Sequence, residues 1–175
     1  ELNISFFEAG KIAKEISLRG VKITIKPDNS PVTDGDIAVD KILTKKIQIL
    51  TPNIPVISEE TVNLKNKNSK ETFWLIDPID GTRDYIKKRD EYTLNAALII
   101  NRKPVLGIVY APAKDRLFYS YGKGLAFEIK NGKKTVLNCI KKNMNEIVGL
   151  ENSGVTTSEI LNIYKSYQVT KTLKM

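Results

Sequence analysis

The stretch "LIDPIDGT", residues 75–82, places two aspartates three positions apart, with Pro78, Gly81 and Thr82 around them. On a plain strand, residues three apart point to opposite faces, so Asp77 and Asp80 would not share a ligand. A turn beginning at Pro78 would swing Asp80 back toward Asp77, and Gly81 would let backbone approach a ligand closely. The residues that follow, "TRDYIKK", read as a helix start, whose unpaired N–H groups suit an anion. Carboxylates for cations and backbone for a phosphate thus fall within eight residues.

A second acidic cluster, "SEE" at 58–60, ends the β-branched run "IPVISEE". Adjacent strand residues face opposite ways, so one glutamate can turn inward while its neighbour stays in solvent; Glu60 is read as a surface charge. The chain has no histidine, which excludes a His-based zinc site or triad. Oxygen-only ligands suit magnesium, calcium or manganese.

The elements that must position these groups follow from periodicity. Residues 1–18 read as an amphipathic helix with Ile4, Phe7, Ile12 and Ile16 as its apolar side. "VKITIK" is a short strand and "PDNSP" a loop. Residues 34–50 form a second helix, with Ile37, Ile42, Leu43, Ile47 and Leu50 on one side and Pro52 stopping it. "TVNLKNKNSKET" (61–72) is a mobile loop and "TFWLID" the next strand. From Tyr92 the pattern becomes a meander, "YTLNAALII", "VLGIVYA", "RLFYSY", "LAFEIK" and "KKTVLN", with Asn131-Gly132 as a hairpin turn. In the tail, "MNEIVGLEN" holds a strand and "TSEILNIYKSY" a helix capped by Thr157 or Ser158.

Composition sets the outer limits. A net charge of +8 raises nucleic acid as a partner, yet the excess is mostly lysine in a chain rich in isoleucine and asparagine. No aromatic platform or arginine-rich helix accompanies it, so a small anionic substrate is favoured and no nucleic acid is expected. No apolar run approaches a membrane span. The single cysteine, Cys139, makes no internal disulfide, in keeping with a cytoplasmic setting; peripheral membrane association is left open.

"FWLIDPIDGT" with its upstream "SEE" resembles the metal-binding signature of the inositol monophosphatase superfamily. "KPDNSPVTDGDIAVDKIL" and the stretch from Gly81 to Ser120 resemble its 3′(2′),5′-bisphosphate nucleotidase branch; the inositol-specific branch usually has asparagine where this chain has Asp84. The resemblance covers most of residues 1–140. It implies a layered α+β sandwich, αβαβ(α), of the sugar-phosphatase type. Residues 1–138 would form its metal- and phosphate-binding α+β domain, with the antiparallel meander. Residues 139–175 would begin a C-terminal α/β domain that is largely missing.

It also implies two or three Mg²⁺ ions. Glu59, Asp77 and the Ile79 carbonyl would hold the first, and Asp77 would bridge to a second that Asp80 also holds. Gly81, Thr82, Glu59 and Asp80 form the implied substrate-binding set. Asp36 and Thr82 would orient the attacking water, with Asp34, on another face of the same helix, read as its N-cap. The implied activity is removal of the 3′-phosphate from adenosine 3′,5′-bisphosphate or its sulfated form, in sulfur metabolism, with inhibition by lithium. Within the same class, the alternative is an inositol monophosphatase or sugar-bisphosphate phosphatase. Of another class is an inactive metal- or anion-binding remnant. Arg83, Lys87, Lys88 and Arg89 add positive potential near the phosphate turn for a small phosphorylated substrate, a solvated basic face being the equal alternative, and a homodimer is among the expected states. The family's "W-D-x-A" motif does not occur before "VTKTLKM", so the second metal position is expected to lack its distant aspartate and these residues alone to hydrolyse little.

Overall fold

In the computed structural model, which describes residues 1–61, 71–138, 147–151 and 157–174, a capping box starts the helix that leads into the acidic cluster. Thr33 precedes helix α2 (Asp34–Leu50); its hydroxyl accepts from the Gly35 and Asp36 N–H groups while the Asp36 carboxylate accepts from the Thr33 N–H. Otherwise orphaned N–H groups at this helix end are thereby satisfied. The N-cap is therefore Thr33 and not Asp34. Asp34 is the first helical residue, paired with Arg19 at 2.8 Å and accepting from the Lys22 N–H at 2.9 Å.

Helix α1 (Leu2–Arg19) packs on α2; Ile16, Leu43 and Ile47 are buried as expected, while the rest of the buried faces differs in part from that read off hydrophobicity alone. On α1 the buried residues are Ser5, Phe6, Ala9, Gly10, Ala13 and Ile16, whereas Ile4 is 61% exposed. Small residues at 9, 10 and 13 allow close approach: a Cβ on Gly10 would run into the Tyr110 ring. On α2 the buried apolar residues are Val39, Leu43 and Ile47, each four positions on from the last, leaving Ile37 and Leu50 exposed.

Strands β1 (Ile23–Ile25) and β2 (Pro31–Thr33) form a separate antiparallel hairpin, so the expected loop closes one residue early, at Pro31. The main sheet has seven strands in sequence order: β3 (Val56–Ser58), β4 (Phe73–Asp80), β5 (Thr93–Ile100), β6 (Lys103–Ala111), β7 (Arg116–Tyr121), β8 (Ala126–Lys130) and β9 (Lys133–Val136). Only the β3–β4 pair is parallel; every other neighbour pair is the expected antiparallel meander. Trp74, Ile76, Leu94, Ala96, Ile108, Tyr110 and Leu117 join Phe6, Val39, Leu43 and Ile47 in one apolar core. A short helix α3 (Thr82–Ile86) follows β4, anchored by Tyr85, whose buried hydroxyl donates to the Ala13 carbonyl at 2.6 Å.

Contacts divide the chain into Glu1–Leu137 and Asn138–Met175. The second unit carries β10 (Val148–Glu151), α4 (Ser158–Ser166) and β11 (Lys171–Lys174), with β10 and β11 parallel as a crossover through α4 requires. Thr157 caps α4 by accepting from the Ile160 N–H, and β11 was not anticipated from sequence. Most of the expected 61–72 loop, Cys139 and the start of "MNEIVGLEN" lie outside the described residues. Among the described residues, no helix is long and apolar enough to cross a membrane.

Leu43 is fully buried between α1, α2 and the sheet. Leu43→Ala should cost about 2–5 kcal/mol. Urea unfolding followed by Trp74, the single tryptophan, reads this in the first unit alone. A loss well below that range would mean the helices do not seat on the sheet as described.

Candidate active site

Strand pairing sets three polar residues in one row. Ser58 on β3 is level with Ile76 on β4, and the Glu59 N–H continues the ladder to the Ile76 carbonyl at 3.0 Å. Glu59 therefore comes level with Asp77, and Asp77 is paired directly with Asn95 on β5. The row runs Glu59, Asp77, Asn95 and then Val109 on β6.

Asp80 joins the row by a route the sequence reading did not foresee. No turn follows Asp77; β4 continues to Asp80, and the register with β5 shifts between them. Asp77 pairs with Asn95 and Asp80 with Thr93, so three steps on β4 match two on β5. Asn95 and Thr93 point the same way, and this β-bulge therefore returns Asp80 to the side of Asp77. Gly81 then takes φ +94°, and a Cβ there would meet the Glu91 carbonyl at 2.6 Å. Only glycine fits both the backbone and the space.

The capping box supplies the next group. Asp36 is 1% exposed, and one of its oxygens accepts from Thr33 while the other accepts from the Thr82 hydroxyl at 3.2 Å. The Thr82 hydroxyl also lies 3.0 Å from the Ile79 carbonyl. Asp36, Ile79 and Thr82 are thus joined through one hydroxyl. Burial pushes the Asp36 carboxyl up from its ordinary value.

The two glutamates exchange their expected places. The Glu59 side chain is 51% exposed, whereas that of Glu60, read as a surface charge, is 4% exposed. The reason is Lys26, at the tip of the β1–β2 hairpin. Its ammonium lies 2.9 Å from a Glu60 carboxylate oxygen and 3.1 Å from Glu59 Oε1, so Glu60 has a buried counter-charge. Burial alone would lower the Lys26 pKa, but hydrogen bonds to Glu60 and Glu59 outweigh it and hold it above the usual lysine value. Nothing in the local pattern of "KITIKP" marked Lys26, because its partners lie more than thirty positions away.

Asp77 has no such partner. Its Oδ1 is buried without a hydrogen bond, and burial, then Glu59 and Asp80, push its carboxyl from 3.8 up to about 7. Asn95 Oδ1 is likewise buried and unpartnered, while Asn95 Nδ2 donates to Asp80 Oδ2 at 3.3 Å. Among the described residues, no three acidic or cysteine side chains already converge as a metal cage. What fits a hard divalent cation is the donor chemistry: all oxygen, excess negative charge, and a buried carboxylate oxygen with nothing to bind. Arg83, Lys87, Lys88 and Arg89 are exposed, and Arg89 is held by Asp84 at 3.0 Å, a solvated basic face.

The sign of the Asp77 shift is testable. A carboxyl raised on folding contributes stability that is complete below the unfolded value and lost as pH rises through about 7. In cation-free buffer the parent should therefore lose melting temperature on going from about pH 5 to about pH 8. Asp77→Asn, neutral throughout, should lose less and be the more stable protein by a few degrees at the alkaline end. Thermal unfolding followed by Trp74 fluorescence measures both, and parallel pH profiles would refute the assignment.

Residues 4–168 match the profile of the inositol monophosphatase family. The chain is 38% identical over 123 residues to the 3′(2′),5′-bisphosphate nucleotidase CysQ of Buchnera aphidicola, a match covering 70% of this chain and 46% of that protein. Against the protein of the same name from Escherichia coli O157:H7 it is 42% identical over 111 residues, 63% of this chain and 45% of the relative. The chain spans about half the length of the curated relatives it matches. Among solved structures, CysQ from Bacteroides thetaiotaomicron superposes with a TM-score of 0.74 at 23% identity, covering 97% of this chain and 68% of that one. An IMPase from Thermotoga maritima gives 0.73 at 22% identity, covering 97% and 65%. These likenesses show the α+β fold expected from the sequence. With residues 4–168, most of this chain, matching the family profile, the chain belongs to the inositol monophosphatase family.

Proposed function

We propose that this chain forms the metal- and phosphate-binding part of a magnesium-dependent phosphatase that removes the 3′-phosphate of adenosine 3′,5′-bisphosphate or its sulfated form. The observation that carries this reading is Asp77: a half-buried carboxylate between Glu59 and Asp80, one oxygen of which is buried with no hydrogen-bond partner among the described residues. Similarity to proteins named 3′(2′),5′-bisphosphate nucleotidase supports the substrate class.

In this reading Glu59, Asp77, Asp80 and the Ile79 carbonyl would hold the Mg²⁺ ions, two or three in number, with Asp77 the ligand on which binding depends most. When bound, such ions neutralise the phosphate dianion and acidify water for an in-line displacement. The chain's own groups do the rest. The Thr82 hydroxyl, hydrogen-bonded to Asp36, orients the water, and Asp36 takes its proton through that hydroxyl, a reading the contact between the two side chains supports. Gly81, with no side chain, lets the Gly81 and Thr82 N–H groups reach a phosphate oxygen. Glu59 and Asp80, both exposed, face the substrate side. Lys26 must release Glu59 for a cation to take its place, and it can do so while keeping Glu60.

Titration of Mg²⁺ by calorimetry, with phosphate release as a second measurement, tests the reading. The parent should bind Mg²⁺, and Asp77→Asn should abolish that binding. In a chain that turns over, Asp77→Asn should lower kcat by at least about two to three decades, the loss seen for single electrostatic groups. Adenosine 3′,5′-bisphosphate should give the higher specificity constant. Faster release from inositol 1-phosphate would move the protein to the inositol-phosphate class, and Mg²⁺ binding unchanged in Asp77→Asn would remove the metal assignment.

A further inference from the structure

Asn95 occupies a place that sheet packing alone does not explain. It is the third member of the row Glu59, Asp77, Asn95, and the row turns apolar only at Val109. Its neighbours Leu94 and Ala96 point into the core, while Asn95 shares the opposite side of the sheet with Asp77, its direct partner across the ladder. Two contacts define its state. Nδ2 donates to Asp80 Oδ2 at 3.3 Å, and Oδ1 is buried with no hydrogen-bond partner among the described residues. The amide orientation is fixed by Asp80, because a carboxylate accepts from the NH₂ end and repels the carbonyl end. The same row holds the other orphan, Asp77 Oδ1. Two unpartnered oxygens from directly opposed residues form a deficit of positive charge that no described side chain fills.

We propose that Asn95 is a positioning residue of this site: its amide N–H fixes one oxygen of Asp80, and its buried Oδ1 adds a neutral oxygen to the cluster that a divalent cation completes. The inference rests on the reading of Asp77 and Asp80 as cation ligands given above. A neutral amide suits the place physically. A third carboxylate in the row would deepen the repulsion among Glu59, Asp77 and Asp80, and an apolar residue would leave Asp80 free to swing into solvent.

The test uses Mn²⁺ alone, counted as free and bound ion by electron paramagnetic resonance, on the whole 175-residue chain. Asn95→Leu keeps the size and removes both polar ends. Its melting temperature without metal should equal or exceed the parent's, because a buried unpartnered oxygen is gone. Its Mn²⁺ affinity should fall about tenfold, the loss typical of a group that orients a metal ligand. A residue that merely packs the sheet would move the melting temperature and leave the affinity alone. Asn95→Asp returns an oxygen with a charge; it should melt lower without metal and bind Mn²⁺ at least as well as the parent. Parental Mn²⁺ affinity in Asn95→Leu overturns the proposal while leaving the metal site standing. A parent that takes up no Mn²⁺ overturns the metal reading itself, and this inference with it. Should Asn95→Leu fail to fold, Asn95→Ala, smaller and likewise without either polar end, gives the same comparison of Mn²⁺ affinity.

Discussion

Carboxylates repel one another, and this site requires that Glu59, Asp77 and Asp80 be held close in spite of it. The sheet does the holding. Backbone ladder bonds between β3, β4 and β5 set the three residues in place without any contribution from their side chains, so the cost of crowding the charges is met by the apolar core beneath them. That core, built from α1, α2 and the inward residues of β4 to β7, keeps the strands in register when the acids would push them apart. The raised Asp77 carboxyl records the tension that remains.

Relief arrives at two of the three positions from groups far away in sequence. Lys26 reaches from a hairpin whose first strand is exposed along its whole length, and its hold on Glu59 and Glu60 ties that hairpin to the sheet. Asn95 donates to Asp80 from the neighbouring strand. Asp77, between them, has no such donor, which makes the centre of the cluster the point of greatest demand for a cation.

The helices, the meander and the acidic signature were legible in the sequence because each is local. α2 begins and ends where its pattern and Pro52 put it, and the strands from Thr93 to Val136 follow alternation and turn residues. What was not legible depends on size and on partners. Ile16, Leu43 and Ile47 are buried as expected, but the rest of the α1 face was not legible because Ala9, Gly10 and Ala13 matter for being small, a property that apolar periodicity does not register. The bulge between Asp77 and Asp80 was read as a turn because Pro78 fits either, and only pairing with Asn95 and Thr93 distinguishes them. Glu60 was assigned to solvent because alternation is blind to Lys26, and the role of Asp34 was misjudged because Thr33 competes for the same capping position.

Asp36 belongs to the start of a helix and to the candidate site at once: one carboxylate oxygen closes the capping box, and the other receives the Thr82 hydroxyl. The two duties cannot be separated by substitution. In a library of random variants, substitutions of Asp36 would be purged by a selection that reports only on folding, with no substrate present. Its retention in such a population therefore carries no information about chemistry, whereas retention of Thr82, which caps nothing, does. A lineage that abandoned catalysis should lose the hydroxyl first and keep the carboxylate.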